Sequence, residues 1–220
     1  VFDERRYFTP GNGVGVFEVE GVRVGLLICE DAWFDEPARL ARDSGAQVLA
    51  VLNASPFHAG KGAEREQRMR ERVADCGLPL IYAHLVGGQD EVIFEGRSFA
   101  LNAQGETVAR AEGFREADLA VQATLGKPGA ALTAASDALV PLASADAELW
   151  DALVLGVRDY LGKNGFKGAI LGLSGGIDSA LVLAIAVDAI GADKIHAVMM
   201  PSPYTADISW IDARDMVKRL

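Results

Sequence analysis

Apolar and polar residues alternate over residues 14–19, Gly21 follows, and residues 22–29 are then apolar nearly throughout. The two runs predict strands joined by a tight turn, the second placed centrally in a sheet, where both of its faces are covered. A helix is predicted over residues 35–44 and a buried strand over 47–52 (QVLAVL). The run AEREQRMRERVAD is charged and rich in helix formers, with Met69 and Val73 breaking the polarity, so it predicts an amphipathic helix with a solvated charged face. PLIYAHLV reads as the next strand, and SFALN and TVARA read as a hairpin-like pair about a turn at Gln104-Gly105. Strands and helices alternating in this way describe an α/β layered domain.

The pattern changes after about Glu112. Residues 119–144 are rich in Ala, Thr, Gly and Ser and are broken by Pro128 and Pro141, which predicts a linker. Helical periodicity resumes with Asp146 as N-cap and with Leu149, Trp150, Leu153, Val157, Tyr160 and Leu161 on one face. AILGL, a glycine loop, ALVLAIAVDAI and KIHAVMM then make a βαβ unit, for which a right-handed parallel crossover is expected. The expected organisation is a first α/β domain over residues 1–118, a linker over 119–145 and the start of a second α/β domain over 146–220.

Composition narrows the picture only a little. The 220 residues suit one to two domains, half of them are apolar and 24% are charged, as in soluble proteins. No apolar run is long enough to span a membrane. The net charge of −10 argues against a broad nucleic-acid surface but leaves room for a nucleotide pocket with local donors. Two cysteines without framework spacing, Cys29 and Cys76, fit a reducing compartment, with the cytoplasm as the default. The chain opens at Val1 without a leader and closes at Leu220 within an unfinished helical pattern, so a piece of a longer enzyme is expected.

Two places carry chemistry. Cys29 stands where an apolar strand meets an acidic, irregular segment (GLLICEDAWF), and a nucleophile on such a turn is exposed while the strand fixes its position. On the cysteine alone, a buried structural thiol is an equally good reading. Residues 174–179 read SGGIDS between a strand and a helix, where glycines admit a close ligand and the helix start offers free N–H groups to an anion. The serines add donors, whereas Asp178 would repel phosphate unless Mg²⁺ bridges it to a diphosphate. The loop matches neither GxxxxGK[ST] nor GxGxxG. His58, His84 and His196 read as structural, and no pair of His or Cys has zinc-ligand spacing.

FDERRYFTPG, LLICEDAW, NASPFHAGK and VGGQDEVIFEGRSF, in that order, resemble the glutaminase domain of glutamine-dependent NAD synthetases, which belong to the nitrilase superfamily. That resemblance implies a nitrilase-like α-β-β-α layered domain, present in part, and a Glu-Lys-Cys triad with Cys29 as nucleophile. It also implies an oxyanion N–H at Glu30 and an accessory carboxylate at Glu4, with glutamine held by Phe2, Glu30, Ser55 and Lys61. The triad lysine and general base should lie upstream of Val1, and acid–base groups of this kind are worth roughly 10²- to 10⁴-fold each. The stretch as written is therefore expected to lack glutaminase activity.

SGGIDS is similar to the signature of N-type ATP pyrophosphatases, and HAVMMPSPYTADISWIDARDM is similar to the segment after the second strand of NAD synthetases, with Ala206 as a mild departure. These resemblances imply the start of an adenine-nucleotide α-hydrolase-like parallel-sheet domain. They imply ATP at Ser174, Gly175, Gly176, Ile177, Asp178, Ser179 and Met200, and Mg²⁺ at Asp178. The implied reaction is amidation of deamido-NAD to NAD with ammonia from glutamine, releasing AMP and pyrophosphate. The resemblance also implies a homo-oligomer acting on the small molecules glutamine and deamido-NAD; no nucleic acid or membrane partner is expected. A stand-alone carbon-nitrogen hydrolase, or a noncatalytic nucleotide-binding module, remain the competing readings.

Overall fold

The computed structural model describes residues 6–9, 11, 13–126, 130–134 and 139–220. They fall into two units: the first is made of Val1–Leu85 and Gly96–Leu142, the second of Val86–Glu95 and Ala143–Leu220.

The first unit is built on a sheet of six strands in the order β1 (Gly15–Val19), β2 (Val22–Ile28), β3 (Val48–Asn53), β4 (Leu80–His84), β7 (Phe99–Leu101) and β8 (Thr107–Arg110). The β2–β3 and β3–β4 pairs are parallel and the others antiparallel. Helices α1 (Asp35–Asp43) and α2 (Lys61–Cys76) cover one face, where Leu27, Leu49, Val51, Met69, Tyr82 and Phe99 are almost fully buried. Gly25 in β2 lets α1 approach, because a Cβ there would lie 2.8 Å from that of Ala41. Val48, Ala100 and Ala109 pack on the other face against Ala130 and Leu132. These last two residues belong to β10 (Ala130–Ala134), which pairs antiparallel with β9 (Val121–Leu125). A strand pair therefore occupies part of the segment whose composition reads as linker.

In α2 the charge pattern misleads. Its buried residues are Arg65, Glu66, Met69, Arg72, Val73 and Cys76, so three charged side chains share the inward stripe with the apolar ones. Glu66 accounts for part of this. Arg110 Nε and Nη2 donate to its two carboxylate oxygens at 2.6 and 2.9 Å, and Arg70 Nη2 donates at 2.9 Å. Burial pushes the Glu66 carboxyl up, but Arg110 and then Arg70 more than offset this and hold it below its ordinary value.

The second unit joins a hairpin to a βαβ core. Strands β5 (Val86–Gln89) and β6 (Val92–Glu95) pair antiparallel about Asp90, whose φ is +51°. They come from a stretch lying between β4 and β7 in sequence. Helix α3 (Ala145–Lys163) is capped by Ser144, whose Oγ accepts the Ala147 N–H at 3.3 Å, so the N-cap is Ser144 and not Asp146. The apolar face predicted for α3 is also displaced. Ala152 and Leu155 are buried, while Leu149, Leu153 and Tyr160 are exposed. Asp159 Oδ2 accepts the Gly88 N–H at 2.7 Å, Lys163 Nζ donates to the Gly88 carbonyl, and Gly156 leaves room for Ile93. Trp150 Nε1 donates to Asp188 at 3.0 Å on α4 (Ile177–Ile190). Strands β11 (Ala169–Gly172) and β12 (Ile195–Val198) are parallel, and α5 (Asp207–Arg219) closes the chain.

Candidate active site

The parallel strands β2, β3 and β4 point their carboxyl ends to the same edge of the sheet, with Ile28 opposite Leu52 and Asn53 opposite His84. That edge is where open α/β sheets receive ligands. Here Cys29, Asn53, Ala54 and His84 line a cavity of about 500 Å³. Ile28 is still extended, at φ −122° and ψ 120°, and Cys29 then turns to φ +47° to begin a short 3₁₀ helix, Cys29–Trp33. The Asp31 carboxylate fastens the turn by accepting the Ile28 N–H at 3.0 Å. A non-glycine residue in the left-handed region is uncommon and carries strain. The thiol is half-buried at the cavity rim, whereas Cys76 is buried and its thiol is pushed up by burial.

Ser55 follows β3. Its Oγ accepts from Asn53 Nδ2 at 3.0 Å and from Arg65 Nη2 at 3.0 Å. Lys61 opens α2, bonds Glu64 at 3.1 Å and lies 4.0 Å from the centre of the Trp33 ring. That stacking ties the first residue of α2 to the last residue of the 3₁₀ helix that Cys29 begins. Glu30 is exposed next to the thiol. His84 Nδ1 donates to the Leu85 carbonyl at 2.7 Å. Burial, and next the Arg65 charge, push the imidazole down to about 4 against the pull of the Leu85 and Ser55 carbonyls, so it is neutral near pH 7. Phe2 and Glu4 lie outside the described residues.

The glycine loop forms a second, separate site. Gly175 has φ +85°, and a side chain there would collide with the Ser209 backbone at the start of α5. Ser174 Oγ receives the Gly176 N–H at 3.2 Å and lies 3.0 Å from Ser179 Oγ, which donates to the Gly176 carbonyl at 3.0 Å. The two serines thus clamp the loop at the amino end of α4, whose first N–H groups have no partner within the helix. Beside it, Gly175, Gly176, Ile177, Asp212, Asp215 and Arg219 contribute to the wall of a cavity of about 320 Å³. Asp178 is exposed in the first turn, and among the described residues no three His, Cys, Asp or Glu side chains converge as a metal cage. One carboxylate with phosphate oxygens is nevertheless a donor set that suits Mg²⁺. Met200 follows β12, is 79% exposed, and its Cε lies 3.2 Å from where a Cβ on Gly172 would sit.

The sequence pattern of the carbon-nitrogen hydrolase family matches residues 1–126, and that of NAD synthase matches residues 149–220. The chain belongs to the carbon-nitrogen hydrolase family. Along its whole length this carbon-nitrogen hydrolase chain is 44% identical to the glutamine-dependent NAD(+) synthetase of Acinetobacter baylyi. A second such synthetase, from Xylella fastidiosa, is 45% identical over 95% of the chain. The chain spans about 40% of the length of these relatives. It superposes over its full length on 41% of a glutamine-dependent NAD+ synthetase from Acinetobacter baumannii solved with ADP, at 43% identity and a TM-score of 0.90. A Cytophaga hutchinsonii synthetase, at 20% identity and a TM-score of 0.72, shares the fold. A nitrilase-like α/β domain followed by the start of an NAD synthase domain describes the architecture.

Of the residues singled out in the sequence, Cys29 lines the sheet-edge cavity, and Ser55 is bonded to Asn53 in its wall. Lys61 is joined to the Cys29 segment through Trp33. The loop residues Ser174, Gly176 and Ser179 interlock at one helix start, and Gly175 stands against the Ser209 backbone. Asn53, Trp33 and Arg65 were not singled out. The register of two parallel strands could have found Asn53, which stands one residue beyond Leu52, the partner of Ile28.

Proposed function

We propose that this chain is the part of a glutamine-dependent NAD(+) synthetase that carries the glutaminase nucleophile and the ATP-binding loop. The proposed organisation is a glutaminase part over residues 1–118, a connecting segment over 119–145 and the start of the ATP-binding domain over 146–220. The supporting observation is that one 220-residue sequence carries both the Cys29 elbow and the SGGIDS helix start. Full-length similarity to enzymes named for that reaction supports the same reading.

Cys29 attacks the side-chain amide carbon of glutamine as its thiolate. The Glu30 N–H stabilises the oxyanion, ammonia leaves, and water cleaves the thioester to release glutamate. Phe2, Glu30, Ser55 and Lys61 hold the amino acid, with Glu30 facing its ammonium and Lys61 and Ser55 its carboxylate; Glu4 is an accessory carboxylate. The triad's lysine and general base belong upstream of Val1 in the longer polypeptide. At the second site, residues 174–179 cradle the ATP phosphates on the start of α4, Met200 touches the adenosine, and Asp178 would hold a Mg²⁺ that would neutralise phosphate charge. The carboxylate of deamido-NAD is adenylated with loss of pyrophosphate, and ammonia then displaces AMP to give NAD. We place the enzyme in the cytoplasm as a homo-oligomer acting on small molecules. No helix among the described residues is long and apolar enough to cross a membrane.

The deciding experiment uses the full-length polypeptide that contains this chain. Cys29→Ala is expected to abolish NAD synthesis from glutamine while synthesis from added ammonia continues. If that variant still made NAD from glutamine at the parental rate, the reading would fail.

A further inference from the structure

Behind the Cys29 cavity lies a polar cluster that the proposed chemistry does not use. Arg65, on α2, is 2% exposed, and Asn53, at the end of β3, is 7% exposed. Both donate to one atom, Ser55 Oγ, each at 3.0 Å. A serine hydroxyl has two acceptor lone pairs and one proton. With both lone pairs engaged by buried donors, the Ser55 proton is left to point elsewhere, and the hydroxyl can act on a ligand only as a donor.

We propose that Arg65, together with Asn53, is a positioning residue that fixes Ser55 as a one-way hydrogen-bond donor, so that the site selects amide substrates bearing an α-carboxylate. This rests on the reading of Ser55 as a glutamine-binding residue. Water-like ambivalence would let an unconstrained hydroxyl turn toward an ammonium as readily as toward a carboxylate; two donors against its oxygen remove that choice. A guanidinium has donors and no acceptor, so the polarity it imposes on the Ser55 oxygen cannot reverse. Neighbouring His84, neutral and bonded to the Leu85 carbonyl, adds no second positive charge to the cluster.

The test measures steady-state kinetics of the full-length polypeptide with glutamine and with 4-aminobutanamide, which lacks the carboxylate, using ammonia-driven NAD synthesis as the measure of folding. Arg65→Met is expected to raise KM for glutamine roughly ten-fold or more, with a much smaller change in kcat. Arg65→Lys should recover part of that loss. In a Ser55→Ala background Arg65→Met should add nothing, because the two act through one atom. Asn53→Asp replaces a donor by an acceptor and draws the hydroxyl proton inward, so the preference for glutamine over 4-aminobutanamide should shrink. An undiminished Arg65→Met effect in the Ser55→Ala background, or an unchanged substrate preference in Asn53→Asp, overturns the proposal. Should Arg65→Met fail to fold, Asn53→Asp carries the decision alone. Failure of the parent reading is seen separately, as glutamine use that survives Cys29→Ala.

Discussion

Cys29 occupies a backbone conformation, φ +47°, that glycine adopts without penalty and other residues adopt at a cost of about 1 kcal/mol or more. Cys29→Gly should therefore be more stable than Cys29→Ala by about 1 kcal/mol, read from urea midpoints at equal slope, although both lack the thiol. Strain of this kind is legible in sequence only indirectly, as a polar break after an apolar strand. His84 makes a prediction about pH. Its imidazole sits near pKa 4 in the folded chain against 6.5 when free. The unfolded chain therefore binds the extra proton between those values. The stabilisation is complete above pH 6.5 and is lost as pH falls toward 4, by about 3 kcal/mol in all. His84→Gln should flatten the dependence of the urea midpoint on pH across that window. Arg65 shows the opposite limit of legibility: in a run with arginines also at 68, 70 and 72, nothing local says which guanidinium turns inward. Only the tertiary register of α2 on the sheet decides it.

Helix α2 generalises the point. Its inward stripe, 65–66–69–72–73–76, keeps helical spacing, yet half its members are charged, so a hydrophobicity pattern finds Met69 and Val73 and misses the rest. The missing information is the location of the partners, since Arg110 comes from β8, far away in sequence. Removing one member of such a buried pair leaves the other uncompensated. Glu66→Ala is expected to cost about 3–5 kcal/mol, measured as a fall in the urea midpoint at constant slope. Strand β2 and the βαβ stretch were readable because continuous apolar runs and a glycine loop carry their own signal. The β9–β10 pair was not, because small residues and prolines give the composition of a linker whether or not the backbone finds a pairing partner. The same holds for the hairpin β5–β6, whose glycines and short strands leave little periodicity to count.

At the scale of the whole molecule, the two units do not follow the order of the sequence. The carbon-nitrogen hydrolase match runs unbroken over residues 1–126, yet Val86–Glu95 belongs with Ala143–Leu220 in three dimensions. Within that second unit, Asp159→Ala should free the Gly88 amide, and hydrogen exchange there should quicken roughly ten-fold while amides of β11 keep their protection. A single scission in the alanine-rich stretch after Leu119 would thus misallocate ten residues, stranding the hairpin on the amino-terminal product. The carboxyl-terminal product would present bare helix at Gly156, Asp159 and Lys163, with a carboxylate and an ammonium both deprived of their backbone partners. Anyone wishing to study the second unit in isolation would have to transplant the hairpin along with it, by permuting the chain and not merely trimming it.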